Sequence, residues 1–193
     1  MARLAKPVLF TGCALPFLWL LYGAVTAGLG PDPAEAIMHV TGEWSLRLLA
    51  LTLFMSVLRK WLGRPWPLRL RRMLGLYTFF YACIHLTCFA HFYTGWTGTI
   101  LLQELAERPY ITMGFLAWVL MLPLAVTSTR QMQRRLGRTW VRLHRLVYPA
   151  AMLACIHLFW QIRSDATEAL VYSLIFALLL AWRVKHRRVL LRR

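Results

Sequence analysis

TWVRLHRLVYPAAMLACIHLFWQI, residues 139–162, is long and apolar enough to cross a bilayer and carries two histidines, His144 and His157. A spanning helix needs roughly 20 predominantly apolar residues, and ionisable groups at membrane depth are costly and functional by default. No carboxylate stands in the stretch to complete a proton relay, so two imidazoles there point to metal ligation, and haem iron is the metal suited to sites between helices. The histidines lie 13 positions apart, about 20 Å along a helix axis, so they cannot share one iron. On an ideal helix they also fall on different faces. Pro149 lies between them; a proline inside a helix removes a backbone hydrogen bond and kinks the rod, which permits a change of phase.

Around this stretch the chain of 193 residues is 59 % apolar, too rich for an ordinary soluble globule of one-domain size. Apolar runs of spanning length recur six times, over residues 8–29, 44–62, 73–93, 110–129, 139–162 and 168–184. The expectation is an all-α, polytopic membrane protein, a six-helix bundle forming a single domain over residues 1–193. The first run, flanked by Arg3 and Lys6, has the outline of a signal peptide; it exceeds a usual apolar core and is expected to stay as a helix.

The formal charge of +16 is distributed by topology. Basic residues cluster at Arg3 and Lys6, between Arg59 and Arg72, between Arg130 and Arg145, and between Arg183 and Arg193, which accounts for 20 of the 23. The seven acids, Asp32, Glu35, Glu43, Glu104, Glu107, Asp165 and Glu168, fall in or beside the other connections. Six spans then place every basic cluster on one side, and the positive-inside rule puts both termini in the cytoplasm. This pattern argues against nucleic acid as a partner and for lipid. Cys13, Cys83, Cys88 and Cys155 sit inside apolar runs without CxxC spacing, so neither a disulfide framework nor a zinc site is indicated.

The pentapeptide ACIHL occurs at residues 82–86 and again at 154–158. The flanks do not extend the match, so no duplicated half is read from it. It does give His85 and His157 similar settings, on spans that both run outward. His85 follows Arg71 by 14 residues and His157 follows Arg142 by 15, so they are expected at comparable depth. Two imidazoles at one depth suit the axial positions of a b-type haem. The position of a second partner for His144 is taken by Arg71, followed by Arg72. Guanidinium is not an iron ligand but suits a haem propionate or a flavin phosphate. For His144 this leaves a second haem, another partner, or a flavin or quinone site. His39, in an external loop GPDPAEAIMHVTGE, His91, about 240° round from His85, and His186 in the basic tail are expected to be solvated. The segment WVRLHRLVY, with Trp140 and Arg142, has the composition of an isoalloxazine or propionate grip and equally of an interfacial belt.

RRMLGLYTFFYACIHL, ITMGFLAW, LAVTSTRQMQRRLGRTWVRLHRLVY and CIHLFW together resemble the ferric-reductase-like transmembrane superfamily, and within it the haem-binding subunits of periplasmic methionine-sulfoxide reductase systems. The likeness covers nearly the whole chain. It implies haem b, one or two, on His85, His144 and His157, and flavin mononucleotide. It also implies electrons drawn from quinol or a cytosolic flavin reductase and delivered across the inner membrane to a periplasmic molybdenum-containing reductase of methionine sulfoxide. Relatives with a cytosolic flavin and nicotinamide domain continue well beyond the last span, and no GxGxxG fingerprint occurs here; the expectation is a separate electron donor. Arg71 departs from the four-histidine, two-haem pattern. Two other readings remain: a haem-dependent reductase of ferric iron or oxygen, and a non-redox transporter whose histidines serve protons or packing.

Overall fold

Asp32, Pro33 and Glu35 start the longest helix of the protein, in the pattern of an N-cap carboxylate, a proline in the first turn and an acid facing the helix dipole. The Asp32 carboxylate accepts from the Glu35 amide at 2.9 Å. In the computed structural model, residues 2–161 and 166–191 are described, with side chains for 5–161 and 166–186. Among them are eight α-helices and no strand: α1 (Ala2–Val25), α2 (Pro33–Leu62), α3 (Trp66–Phe92), α4 (Gly98–Glu107), α5 (Pro109–Val126), α6 (Arg130–Leu143), α7 (Val147–Trp160) and α8 (Thr167–Leu191). A 3-10 turn, His144–Leu146, joins α6 to α7. Asp165, Arg192 and Arg193 lie outside the described residues, as do the side chains of Arg3, Arg187 and Arg188.

Six segments are long and apolar enough to cross a membrane: Ala5–Val25, Pro33–Leu62, Trp66–Phe92, Pro109–Val126, Arg130–Trp160 and Thr167–His186. Their number matches the sequence reading, and their limits move. Much of the expected external loop before residue 44 is helix α2, so His39 stands on a helix. The basic loop before residue 73 shrinks to a turn at Gly63, whose φ of 64° is left-handed, and Arg69, Arg71 and Arg72 ride on α3. The chain divides into two compact units, Met1–Glu104 and Leu105–Arg193.

In the first unit α2 and α3 pair, and α1 packs on both. The core joins Leu48 and Met55 of α2, Leu70, Leu74 and Tyr81 of α3, and Cys13 of α1. Pro16 weakens α1, because it has no N–H for the carbonyl one turn back. Fully buried Tyr81 occupies the opening: its hydroxyl donates to the Cys13 carbonyl at 2.7 Å and accepts from the Phe17 amide at 3.1 Å. Those two groups are helical partners in an unbroken ladder, so the phenol is inserted into the rung and keeps both satisfied. In lipid an unsatisfied backbone group costs several kcal/mol. Buried Thr52 and Thr78 return their hydroxyls to the Leu48 and Leu74 carbonyls, and Ser45 of α2 donates to the Thr78 carbonyl of α3 at 3.1 Å.

In the second unit α7 packs against α5 and α8. Ala150 and Ala151 of α7, Ala117 of α5 and Ala169 of α8 are buried, the small residues that let membrane helices approach closely. The Thr112 hydroxyl donates to the Leu105 carbonyl, tying the end of α4 to the start of α5. The Trp140 indole donates to the Thr127 carbonyl at 2.9 Å, fixing α6 to the end of α5. The interruption expected near Pro149 is the 3-10 turn at His144–Leu146, one turn ahead of the proline and where its missing N–H is felt. A second break lies at Gly137, with φ 48° and ψ −117° inside α6.

Candidate functional site

His85 is half-buried on α3, and its Nδ1 lies 2.9 Å from the Met38 carbonyl oxygen on α2. A carbonyl only accepts, so Nδ1 carries the proton and, in the neutral ring, Nε2 holds the lone pair. The ring rests over Gly42, one turn beyond Met38. A Cβ added there would stand 3.3 Å from both Cε1 and Nδ1 of the imidazole.

His157 repeats this arrangement within the second unit. Its Nδ1 is 2.6 Å from the Tyr110 carbonyl oxygen on α5, and the ring rests over Gly114, again one turn beyond. Here an added Cβ would come to 2.8 Å from Nδ1 and 3.0 Å from Cε1. In both units 47 residues separate the histidine from its acceptor carbonyl. The match therefore reaches well beyond ACIHL, although the intervening side chains differ. A helical carbonyl points at the residue four positions on. An imidazole bonding to it must lie over that residue, which is glycine both times.

His144, at the 3-10 turn, has a different environment. Its ring stacks on Trp140 with centroids 3.8 Å apart and planes 26° apart, and its Nδ1 lies 3.2 Å from the Trp140 carbonyl oxygen. This contact is local, one turn back on its own helix. Trp140 thus has one face covered and its N–H engaged with Thr127. Arg142, beside it, is exposed, as is Arg72, and Arg71 is half-buried. Of the residues expected to grip a flavin or propionate, the second unit brings together Trp140 and His144, with Arg142 adjacent; Arg71 and Arg72 belong to the first.

Of the other histidines, His39 and His91 are exposed, as expected, and only His186 is not. His91 is exposed but accepts from the Trp96 indole at 3.1 Å. His39, 64 % exposed, lies 3.6 Å from Glu43, which also holds Arg47 at 2.6 Å. His186 is half-buried, stacked on Trp182 at 4.2 Å with its Nδ1 2.8 Å from the Trp182 carbonyl oxygen. Missing from the sequence reading were Met38, Gly42, Tyr110 and Gly114. Two act through backbone oxygens, which carry no side-chain signature, and two through having no side chain. Their one available signal was a glycine at the same remove before each ACIHL histidine.

These features define a class: a multi-pass helical membrane protein in which each of two units holds an imidazole by its Nδ1 on a carbonyl of a neighbouring helix, leaving Nε2 as the donor nitrogen. The chain belongs to the family described as "Ferric reductase like transmembrane component", which matches residues 41–155, more than half of its length and inclusive of His85 and His144. It is 48 % identical over 169 residues to the "Protein-methionine-sulfoxide reductase heme-binding subunit MsrQ" of Xanthomonas campestris pv. campestris (strain B100), covering 88 % of this chain and 78 % of that protein. The protein of the same description from Xanthomonas axonopodis pv. citri (strain 306) is 46 % identical over 166 residues, covering 86 % and 76 %. That from Xanthomonas oryzae pv. oryzae (strain MAFF 311018) is 45 % identical over 165 residues, covering 86 % and 76 %. No solved structure matches the chain.

Proposed function

We propose that this protein is a haem b electron-transfer subunit of the bacterial inner membrane. In this reading it relays electrons from quinol or a cytosolic flavin reductase to a periplasmic molybdenum-containing reductase that repairs methionine sulfoxide in proteins. The relatives' description supports the haem and the reductase partner. The observation that carries the reading is the matched pair of anchored imidazoles. Histidine ligates iron through one ring nitrogen while the other donates a hydrogen bond that fixes tautomer and orientation. His85 and His157 have that second bond, to Met38 and Tyr110, so the donor set fits the group.

Haem b, when bound, supplies a one-electron ferric–ferrous couple. The chain's own part is to present neutral imidazoles and keep their Nδ1 protons on carbonyls. His85 and His157 would hold the haem iron in this reading. His144 serves a second haem or the rim of a flavin mononucleotide. Arg71, Arg72 and Arg142 suit that flavin's phosphate or haem propionates, with Trp140 offering the face that His144 leaves.

The test is a redox-titrated visible and EPR spectrum of the haem-replete protein beside His85→Ala, His144→Ala and His157→Ala. The low-spin signal is expected to vanish in the first and third and persist in the second. An unchanged spectrum in His85→Ala or His157→Ala refutes the ligand assignment, and colourless pure protein refutes the electron relay in favour of a transporter. Rapid ferric or oxygen reduction with no partner present overturns the periplasmic acceptor.

A further inference from the structure

We infer that Gly42 and Gly114 are positioning residues: with the Met38 and Tyr110 carbonyls they form a seat that sets the plane and the hydrogen-bond strength of each iron-ligating imidazole. This deepens the haem reading and rests on His85 and His157 being the ligands. A bland alternative exists, since glycines in membrane helices commonly serve close backbone packing. The surroundings of each glycine decide against it. Among the described residues, and apart from the adjoining residues and backbone of its own helix, the only atoms within 4 Å of a Cβ built at Gly42 are Cε1 and Nδ1 of His85. At Gly114 the three nearest are Nδ1, Cε1 and Cγ of His157, at 2.8, 3.0 and 3.1 Å. At both places the nearest atoms are those of an imidazole, not the backbone of a neighbouring helix.

The consequence follows from where the carbonyl points. To donate to the oxygen of Met38 or Tyr110, the ring must lie flat over the residue one turn on, and any side chain there pushes Nδ1 off its acceptor. A donated hydrogen bond at Nδ1 raises the basicity of the other ring nitrogen, which favours ferric over ferrous iron. Lengthening that bond therefore raises the midpoint potential, and tilting the ring changes the ligand field that each imidazole would give the iron, which low-spin EPR reads. The intrusion is deeper at Gly114 than at Gly42, so the order of the two effects is fixed in advance.

The experiment compares full-length, haem-replete Gly42→Ala and Gly114→Ala with wild type by EPR and redox titration. Gly75→Ala is the control, because a Cβ there meets only Thr52 Cγ2 at an ordinary 3.8 Å. The expected result is a shifted low-field EPR feature and a positive potential shift in both variants, larger for Gly114→Ala, with the control at wild-type values. Wild-type spectra and potentials in both variants, or an equal shift in the control, overturn the inference. Should Gly114→Ala fail to accumulate, Gly42→Ala carries the same comparison. Independently of any variant, nitrogen NMR of 15N-histidine-labelled protein, reduced to its diamagnetic low-spin form, is expected to show a hydrogen-bonded Nδ1 proton on both ligands; its absence overturns the seat. Retention of the low-spin signal in His85→Ala and His157→Ala, by contrast, removes the ligand reading itself.

Discussion

Tyr81 shows how much one buried side chain does in this protein. Its phenol stands between the Phe17 amide and the Cys13 carbonyl, which Pro16 has opened. Tyr81→Phe leaves both backbone groups without their partner at membrane depth. Each buried group so orphaned costs about 1–3 kcal/mol, so the variant is expected to unfold measurably earlier in a thermal or denaturant titration in detergent. Unchanged stability would mean that α1 closes its own rung once the hydroxyl is gone. Sequence reading singles out the six histidines because imidazole is conspicuous in an apolar chain. It passes over Tyr81, since a tyrosine in a run of aromatics has no mark of what its hydroxyl meets.

Among the elements, α2 and α6 depart most from their expected form. The start of α2, expected at residue 44, was missed although its signal was there: Asp32, Pro33 and Glu35, inside the stretch read as a loop, make a helix N-terminus. Asp32→Ala is expected to cost about 1 kcal/mol by removal of the cap, read as faster amide exchange in the first turn of α2. In α6 the break at Gly137 was not legible, because a glycine within a basic, amphipathic run is also compatible with a straight helix. Its φ of 48° with ψ −117° is strained for any residue with a Cβ, a cost of about 1–3 kcal/mol. Gly137→Ala is expected to lower the thermal midpoint. If it instead stabilises the protein, α6 runs unbroken in the membrane.

For the whole molecule, the governing prediction concerns orientation. Basic clusters alternate with acidic connections along the six spans, so both termini are expected in the cytoplasm. A reporter fused after Arg193 that fluoresces only in the cytoplasm should be bright, and one placed between Gly98 and Glu107 dark. The reverse pattern would invert the direction of electron flow.

The sequence by itself determined the number of spans, the helical class and the histidines worth testing. Each of these follows from composition and charge along the chain, which bilayer thickness and the positive-inside rule read one segment at a time. Tertiary structure alone decided what each histidine touches. A hydrogen bond to a carbonyl 47 residues earlier, and a glycine whose missing Cβ admits the ring, depend on how two helices cross. Crossing is set by packing of many side chains at once, and no local pattern encodes it.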